Sequence, residues 1–195
     1  MATRAESTGS TGEQILDAAE RRVQVVGFNG VSYANIAREI GVTNASIHYH
    51  FPAKIDLGVR LVERYRERFF AAVAEIDSTG GSTRDRLTAY ADLYHGVLAA
   101  DRLCLCGIMA SESETLAAPI RAELVKFFQR NEEWLGSLLE VGRAAGEIKF
   151  RSDGKAVAIA IIGALEGAML VARVHGGLDS FRASTRILLA AMCRV

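Results

Sequence analysis

Apolar residues recur at three- and four-residue intervals along almost the whole chain, and this helical spacing is the feature that most restricts its fold. Only two prolines, Pro52 and Pro119, are available to interrupt helices. No run of alternating apolar and polar residues competes as a strand. The sequence therefore predicts an all-α protein of about nine helices.

Capping and turn residues mark the helix boundaries. Thr11 and Gln14 have capping-box spacing at the start of the first helix, which Gly27 ends. Ser32 and Thr43 are suitable N-caps for two short helices. A longer helix is expected from residue 54 to about residue 77, followed by a linker, TGGS, over 79–82. Further helices are expected at about 82–100, 106–114, 118–145, 153–175 and 179–193.

The charge balance excludes the simplest kind of nucleic-acid-binding protein, a strongly basic chain. The 195 residues include 23 Lys and Arg and 23 Asp and Glu, which gives a formal charge of zero. The first twelve residues contain no apolar run, so we expect no secretory signal, a flexible arm over 1–10 and a cytoplasmic protein. Cys104, Cys106 and Cys193 are then expected to be free thiols. No metal-ligand spacing or phosphate-binding loop occurs, so we expect neither a metal nor a cofactor.

The segment 33–51, YANIAREIGVTNASIHYHF, has the pattern of a helix-turn-helix. Two helices that cross at about 90–120° need a small residue where they touch, here Ala37, and a residue that accepts positive φ, here Gly41. Ile36 and Ile47 would fasten the pair to the first helix. Such a pair either presents its second helix to a DNA major groove or is an ordinary corner without a ligand, and spacing alone leaves both open.

The chain from Thr11 to about Tyr65 resembles the DNA-binding domain of TetR-family transcriptional regulators. The residues that carry this resemblance are SYANIAREIGVT at 32–43, IHYHF at 47–51 and KIDL at 54–57. The resemblance implies a three-helix helix-turn-helix DNA-binding domain over 11–53 and a linking helix over 54–77. It also implies a larger helical domain over 78–195 that binds a small-molecule effector and dimerises.

The same resemblance implies DNA-contacting roles on and around the second helix of the motif. Base edges would be faced by three residues, among which Asn44 is best placed for hydrogen-bond readout, and the remaining residues would mostly approach the DNA backbone. The base-facing set is Asn44, Ala45 and Ser46, and the backbone-facing set is Tyr33, Thr43, His48, Tyr49 and Lys54. His50, beside the expected core residue Phe51, is interpreted as a packed structural side chain.

Four positions depart from the common family pattern. His48 occupies a site that is usually Tyr, and Tyr33 one that is often Thr. Asn44 replaces a frequent Lys or Arg, and Ala53 stands where a capping Ser or Asn is usual. These departures make the operator sequence unpredictable and suggest weaker phosphate anchoring than average.

Two C-terminal helices carry the signal for dimerisation. The stretch 156–172, AVAIAIIGALEGAMLVA, is apolar around most of a helix, so it must be covered on more than one side. Paired with a second copy, it and the last helix would form a four-helix bundle; the alternative is that both are core of a monomer. The expected interface residues are Ile159, Gly163, Gly167, Leu170, Ile187, Leu188 and Ala191.

A ligand pocket is harder to place, because aromatic and Met residues at helical spacing are also what a plain core contains. The candidate lining residues are Phe69, Tyr90, Tyr94, Cys104, Met109, Phe127, Trp134, Glu166 and Met169. Glu166 stands apart, since a carboxylate in an apolar helix is costly unless it is paired or functional. We expect it to pair with Arg173 of a partner or with Arg143, or to meet a polar effector.

Cys104 and Cys106 admit two interpretations. With Arg102 nearby they could be thiolates that sense oxidants or electrophiles. They could equally be two small buried residues at a helix start, which we favour.

Taken together, these features predict a ligand-responsive, DNA-binding transcriptional regulator, a homodimeric repressor released from its operator by an effector. The expected partners are double-stranded operator DNA, a small molecule and a second copy of the chain, without a membrane. No nucleophile–base–orienter set nominates an enzyme. The alternative is a small-molecule-binding helical protein or enzyme whose helix-turn-helix corner does not bind DNA.

Overall fold

The computed structural model describes residues 10–192, and this part of the chain folds into helices without a strand. The helices are α1 (Thr11–Val26), α2 (Tyr33–Ile40), α3 (Asn44–His50), α4 (Lys54–Thr79), α5 (Thr83–Ala99), α6 (Leu105–Ala110), α7 (Ala118–Ala144), α8 (Gly154–Val174) and α9 (Gly177–Met192). The prediction of an all-α chain of about nine helices is confirmed. The expectations for residues 1–9 and for Cys193 lie outside the described residues.

Several predicted boundaries shift by a few residues, for local reasons. The N-cap of α1 is Ser10 rather than Thr11, because the Ser10 hydroxyl accepts the Glu13 amide at 3.4 Å. Helix α4 runs two residues beyond the expected end, to Thr79, and stops where Gly80 takes a φ of 71°. Helix α6 ends at residue 110 instead of 114, because the chain continues in a series of turns.

Capping and burial together build the helix pair α2–α3. The Thr43 hydroxyl accepts the Ser46 amide at 3.1 Å and so begins α3. Gly41 adopts a φ of 74°, the left-handed conformation that the turn requires. Ile36 and Ile47 are fully buried against α1 and its neighbours. Helix α3 is therefore fixed from its inner side by one isoleucine.

A buried guanidinium joins α1 to α4. Arg64 lies 2.9 Å from Glu13, 2.9 Å from Asp17 and 3.1 Å from Glu20, three carboxylates on successive turns of α1. Arg68, one turn further along α4, also pairs with Glu20. Because Arg64 is only 6% exposed, its charge depends on these acids for compensation.

A second junction holds the turn that follows α1. The Glu112 carboxylate, just after α6, accepts the Phe28 amide at 2.8 Å and the Asn29 amide at 3.2 Å. Gly27 has a φ of 79°, and a Cβ there would overlap this carboxylate. The Asn29 side chain donates to the Thr115 hydroxyl at 2.6 Å. The small N-terminal unit, formed by α1–α3, is therefore held against the segment that follows α6.

The larger unit is formed by α4–α9. Helix α8 is its central apolar helix and packs most extensively against α7 and α9. By length and composition alone it could cross a membrane, and it is the one helix of residues 10–192 that could, although a third of its most apolar stretch is buried in the protein. One side is buried, including Ile161, Leu165 and Met169. The other side exposes apolar residues, among them Leu170 at 52%. A single chain therefore covers only part of this helix.

Replacing Arg64 with methionine should destabilise the protein by about 2–3 kcal/mol, because Glu13 and Asp17 would lose their guanidinium partner and the largely buried Glu20 would keep only the half-exposed Arg68. The free energy of unfolding from urea titration measures this loss. The matched control is Arg60→Met on the same helix. Arg60 is 42% exposed and lies 3.6 Å from Glu63, so that variant should change stability by less than about 0.5 kcal/mol. Equal losses in both variants would show that burial of Arg64 does not matter.

Candidate functional site

The outer surface of α3 is a compact group of polar side chains open to solvent. Asn44, Ala45 and His48 are exposed, Ser46 is half-buried, and Tyr49 is 83% exposed. With so large an exposed fraction, the Tyr49 ring is not part of the core. Together with the exposed cap residue at position 43, this surface brings together most of the side chains expected to contact DNA.

Tyr33 and His48 form a small network at the edge of this surface. The Tyr33 hydroxyl donates to the Phe51 carbonyl at 2.8 Å, and burial, with the nearby Asp56 carboxylate, raises its pKa to about 12. The two rings meet edge to face, with centroids 4.8 Å apart. His48 Nδ1 lies 3.3 Å from the Pro52 carbonyl, so a proton on Nδ1 leaves Nε2 as an acceptor. These contacts orient the imidazole beside α3.

One expectation near α3 needs correction, and another gains a structural context. The Lys54 ammonium lies 4.6 Å from the centroid of the Phe28 ring, and burial lowers its pKa. This cation–π contact holds the ammonium at the start of α4, and the role of Lys54 in DNA contact stays a prediction. His50 is exposed and packs edge to face on Tyr49, whereas burial was expected, because its position on α3 faces away from the core.

The structure also supplies features that the sequence did not reveal. The capping group missing at Ala53 is replaced by Asp56, whose carboxylate accepts the Ala53 amide at 2.9 Å. Glu39 on α2 is bound by Arg21 at 2.9 Å and Arg22 at 2.5 Å. These ion pairs compensate the one acid that lies between residues 30 and 54. Pairs of this kind join residues far apart in sequence and leave no local pattern.

Five helices of the larger unit bring the predicted pocket residues into one cluster. Phe69 of α4 lies against Tyr90, Tyr94 and Phe127, with ring centroids 5.1–6.2 Å apart. Trp134 lies 5.3 Å from Tyr90 at the edge, where its indole donates to an aspartate of α4 at 2.9 Å. The remaining candidates, Cys104, Met109 and Met169, are buried, and Glu166 of α8 contacts the Cys104 thiol.

Two polar members of this cluster were missed in the sequence. Asn131 accepts the Tyr90 hydroxyl at 3.0 Å and donates to the Tyr94 hydroxyl at 3.3 Å. Tyr65 donates to the Cys104 sulfur at 3.7 Å. Their helical phase was a usable signal, because each lies four residues from an identified member, Phe127 or Phe69.

Glu166 places a carboxylate among these apolar and aromatic groups. Its Oε1 is buried without a hydrogen-bond partner, and a Cβ on Gly107 would overlap its carboxylate. Burial raises its pKa to about 7, while contact with the Cys104 thiol opposes that rise. Neither expected arginine reaches it within the chain. Arg173 donates to a backbone carbonyl at 2.6 Å, and Arg143 pairs with a glutamate of its own helix.

Burial decides between the two interpretations of the cysteine pair. Cys104 is 1% exposed and Cys106 is fully buried. Burial, together with the neighbouring Glu166 carboxylate, raises the pKa of the Cys104 thiol, and burial likewise raises that of Cys106. Arg102, expected to favour a thiolate, donates instead to Gln24 at 3.2 Å. The geometry favours packed, protonated thiols over reactive ones.

The predicted dimer residues fall into an exposed group and one exception. On α8, Gly163 and Gly167 have open space beyond Cα, and Ile159 is 50% exposed. On α9, Ile187 is 68% exposed, and Ala191 is also exposed. Leu188 is the exception, since it is half-buried against the core of its own chain.

Replacing Glu166 with glutamine should remove a pH dependence of stability. The folded-state pKa near 7 exceeds the ordinary 4.5, so the wild type should lose stability as pH rises between these values and then level off. The variant should gain about 2–3 kcal/mol relative to wild type at pH 8 and little at pH 4. Urea unfolding at several pH values measures the difference. The control Glu133→Gln changes an exposed glutamate, so its free energy of unfolding should depend on pH as that of the wild type does. If the free energy of unfolding of Glu166→Gln also depends on pH in the same way, the raised pKa is contradicted.

Comparison with known proteins gives a family match for each of the two units of the chain. Residues 15–60 match the model of bacterial regulatory proteins of the tetR family. Residues 85–188 match the model of the tetracyclin repressor-like C-terminal domain, which by itself spans more than half of the chain. The first match contains the helix pair α2–α3, and the second contains α6–α8 whole and nearly all of α5.

Similar proteins agree with these matches. A crystal structure of a TetR-family transcriptional regulator from Agrobacterium tumefaciens is 34% identical, covers 94% of this chain and 97% of its own, and superposes with a TM-score of 0.90. The transcriptional regulator AcuR of Cereibacter sphaeroides is 27% identical over 82% of this chain and 75% of its own. The transcriptional repressor NemR of Escherichia coli is 26% identical over 68% of this chain and 69% of its own. The chain belongs to the TetR family of DNA-binding transcriptional regulators.

Proposed function

We propose that this protein is a homodimeric repressor that is released from operator DNA when a small molecule binds among α4–α8. The observation that carries the proposal is the division of α3 into two sides. Ile47 is fully buried, while Asn44, Ala45 and Tyr49 are open to solvent. A polar helix surface held rigidly from behind suits insertion into a major groove. Action as a repressor is supported by the name of one relative, the repressor NemR.

Within this proposal, residues 11–53 form the DNA-binding domain, 54–77 the linking helix, and 78–195 the effector-binding and dimerisation domain. Asn44 and Ser46 read base edges, while the Thr43 and Tyr49 hydroxyls donate to phosphates and the His48 ring lies beside the DNA backbone. Tyr33 acts mainly by orienting His48, since its own hydroxyl is bound to a carbonyl. The protein works in the cytoplasm, where its operator is.

The proposed dimer uses the exposed sides of α8 and α9. Ile159, Leu170 and Ile187 are between 50% and 68% exposed in the single chain, which is unusual for large aliphatic side chains on two adjoining helices. Gly163 and Gly167 lie four residues apart, one turn of helix, and permit a second helix to approach closely. A symmetric pairing of these surfaces covers the apolar side of α8 that the chain itself leaves open.

The proposed effector acts on Glu166 and its aromatic neighbours. A displaced Glu166 presses on Gly107 of α6, since the two are in close contact. Helix α6 leads directly to Glu112, which holds the Phe28 and Asn29 amides of the DNA-binding unit. The effector therefore has to bind more tightly to the state in which α6 and Glu112 are displaced than to the state that binds DNA. The ratio of its two affinities sets how far it can lower the affinity for DNA.

Replacing Asn44 with alanine should weaken binding to DNA from upstream of the protein's own gene by roughly tenfold or more, because a base-edge hydrogen-bond pair is lost. Mobility shift on a labelled duplex measures the change. The matched control is Gln129→Ala, which removes an exposed amide from α7 and should bind normally.

The salt dependence of the same binding tests how the affinity arises. Arg38 and Lys54 are the only cations between residues 30 and 54, so the slope of log K against log salt should not exceed about −4 for a dimer. Retained affinity in Asn44→Ala, or a much steeper slope, would contradict the proposed contacts.

Replacing Gly163 with leucine should dissociate the dimer while leaving the single chain folded. A Cβ at this position meets open space in the chain, and a glycine-to-leucine change inside a helix favours the helix by up to about 1 kcal/mol. In a close helix–helix interface the added side chain prevents approach. Sedimentation equilibrium measures the association, and circular dichroism measures the fold.

The control for this variant is Gly96→Leu on α5, where a Cβ also meets open space but no dimer surface is proposed. It should remain dimeric. A Gly163→Leu protein that dimerises as well as the control would place the interface elsewhere.

A further inference from the structure

A cavity lies between α5 and α9, apart from the aromatic cluster. Its volume is about 220 Å³. None of the residues proposed for effector binding lines it, and its walls come from α5 and α9 alone. Three arginines border it: Arg84 of α5, and Arg182 and Arg186 of α9.

The cavity is strongly basic, although the chain as a whole is neutral. Asp92 is the one acidic residue in its lining, so three arginines and one aspartate give a formal charge of +2. Within residues 10–192, neither Arg84 nor Arg186 forms an ion pair, and the Arg182 guanidinium is 3.9 Å from the almost fully exposed Asp179. Arg84, Arg182 and Arg186 are exposed side chains that border one small space and outnumber its single acid, and such a cluster of arginines favours an anion.

Two buried polar atoms in the same lining lack partners. His95 Nε2 and Thr185 Oγ1 are inaccessible to solvent and form no hydrogen bond in the described part of the chain. A buried polar atom left unpaired costs about 1–3 kcal/mol, so two of them beside one cavity need an explanation. A ligand with acceptor oxygens gives both atoms a partner once the two side chains turn toward it, because a hydroxyl donates to such an oxygen and so does an Nε2 that carries a proton.

The rest of the lining is apolar apart from Thr88, whose hydroxyl donates to the Arg84 carbonyl at 2.9 Å. Phe181 is 1% exposed, and Ala91 is buried beside it, while Leu189 is half-buried. The Phe181 ring also lies 6.4 Å from the His95 ring. A ligand that fills this space therefore carries a short apolar body as well as its charged group.

The cavity is on a different side of α9 from the proposed dimer surface. Arg182, Arg186 and Leu189 repeat at four and three residues and share one side of the helix. Ile187 and Ala191 are four residues apart and share another, and neither lines the cavity. A ligand can therefore enter while the two copies remain associated.

We propose that this cavity binds a small organic anion, a carboxylate or phosphate monoester with a short apolar body. Its charged oxygens lie among the guanidiniums of Arg84, Arg182 and Arg186, and accept hydrogen bonds from His95 and Thr185. Its apolar part packs on the Phe181 ring. The bound anion joins α5 to α9 and stabilises the position of α9.

The test uses the full-length protein with benzoate, phenyl phosphate and inorganic phosphate as probes, measured by isothermal titration calorimetry and thermal unfolding. Saturable binding of benzoate or phenyl phosphate with a raised Tm is expected, and whichever binds more tightly identifies the charged group. Arg186→Gln should weaken that binding roughly tenfold. Thr185→Val, which keeps the shape and removes the hydroxyl, should weaken it about threefold to tenfold.

Two controls separate this site from other anion binding. Arg151→Gln removes an exposed arginine that does not line the cavity and should bind the probes normally. Glu166→Gln should also bind them normally, which separates this site from the proposed effector site. The proposal is overturned if neither organic probe binds saturably, if inorganic phosphate binds as tightly as phenyl phosphate, or if Arg186→Gln and Arg151→Gln behave alike.

Discussion

The contact between Arg64 and the three carboxylates of α1 is the interaction on which the arrangement of the molecule depends. Helix α4 packs against α1 of the N-terminal unit and against α5 and α7 of the larger unit. Its N-terminal half holds α1 through this buried charge. The same helix continues to Phe69 and the aromatic cluster. A buried guanidinium tolerates little displacement from its acids, so the direction of α4 and that of α1 are set together.

Helix α6 connects the buried carboxylate to the DNA-binding unit over a short distance. Gly107 touches Glu166, and Glu112, five residues later, binds the turn after α1. Glycine is needed at position 107 because a side chain would occupy the space of the carboxylate. The turn likewise needs Gly27, which leaves room for Glu112. Two glycines thus make close contacts at the two ends of one short element.

Local chemistry explains which parts of the structure could be predicted from the sequence. The caps Ser32 and Thr43 and the turn residue Gly41 act within a few residues, and the structure confirms their placement. Helical phase placed Leu188 among the interface residues, but it cannot show that the core of the same chain also covers Leu188 in part. The contact of Lys54 with the Phe28 ring could not be predicted for a similar reason, since the two residues are 26 positions apart.

Long-range polar contacts were beyond sequence reasoning for the same reason. Arg64 and Glu13 are separated by 51 residues, and Phe28 and Glu112 by 84. Nothing in the local pattern distinguishes a charge that meets a distant partner from one that faces water. The aromatic cluster was found because rings at helical spacing are conspicuous, whereas Asn131, which joins two of its tyrosines, was not.

The distribution of polar contacts along α1 also has a mechanical consequence. Polar contacts with later parts of the chain follow this helix from Glu13 and Asp17 through Glu20 and Gln24 and reach the turn around Phe28. In the described residues no hydrogen bond or ion pair joins α2 or α3 to α5–α9. Within this part of the chain, the helix-turn-helix pair is therefore connected to the rest of the molecule by polar contacts only through α1 and the turns beside it. Because Ile36 and Ile47 are fully buried against α1 and its neighbours, a displacement of α1 carries α3 with it.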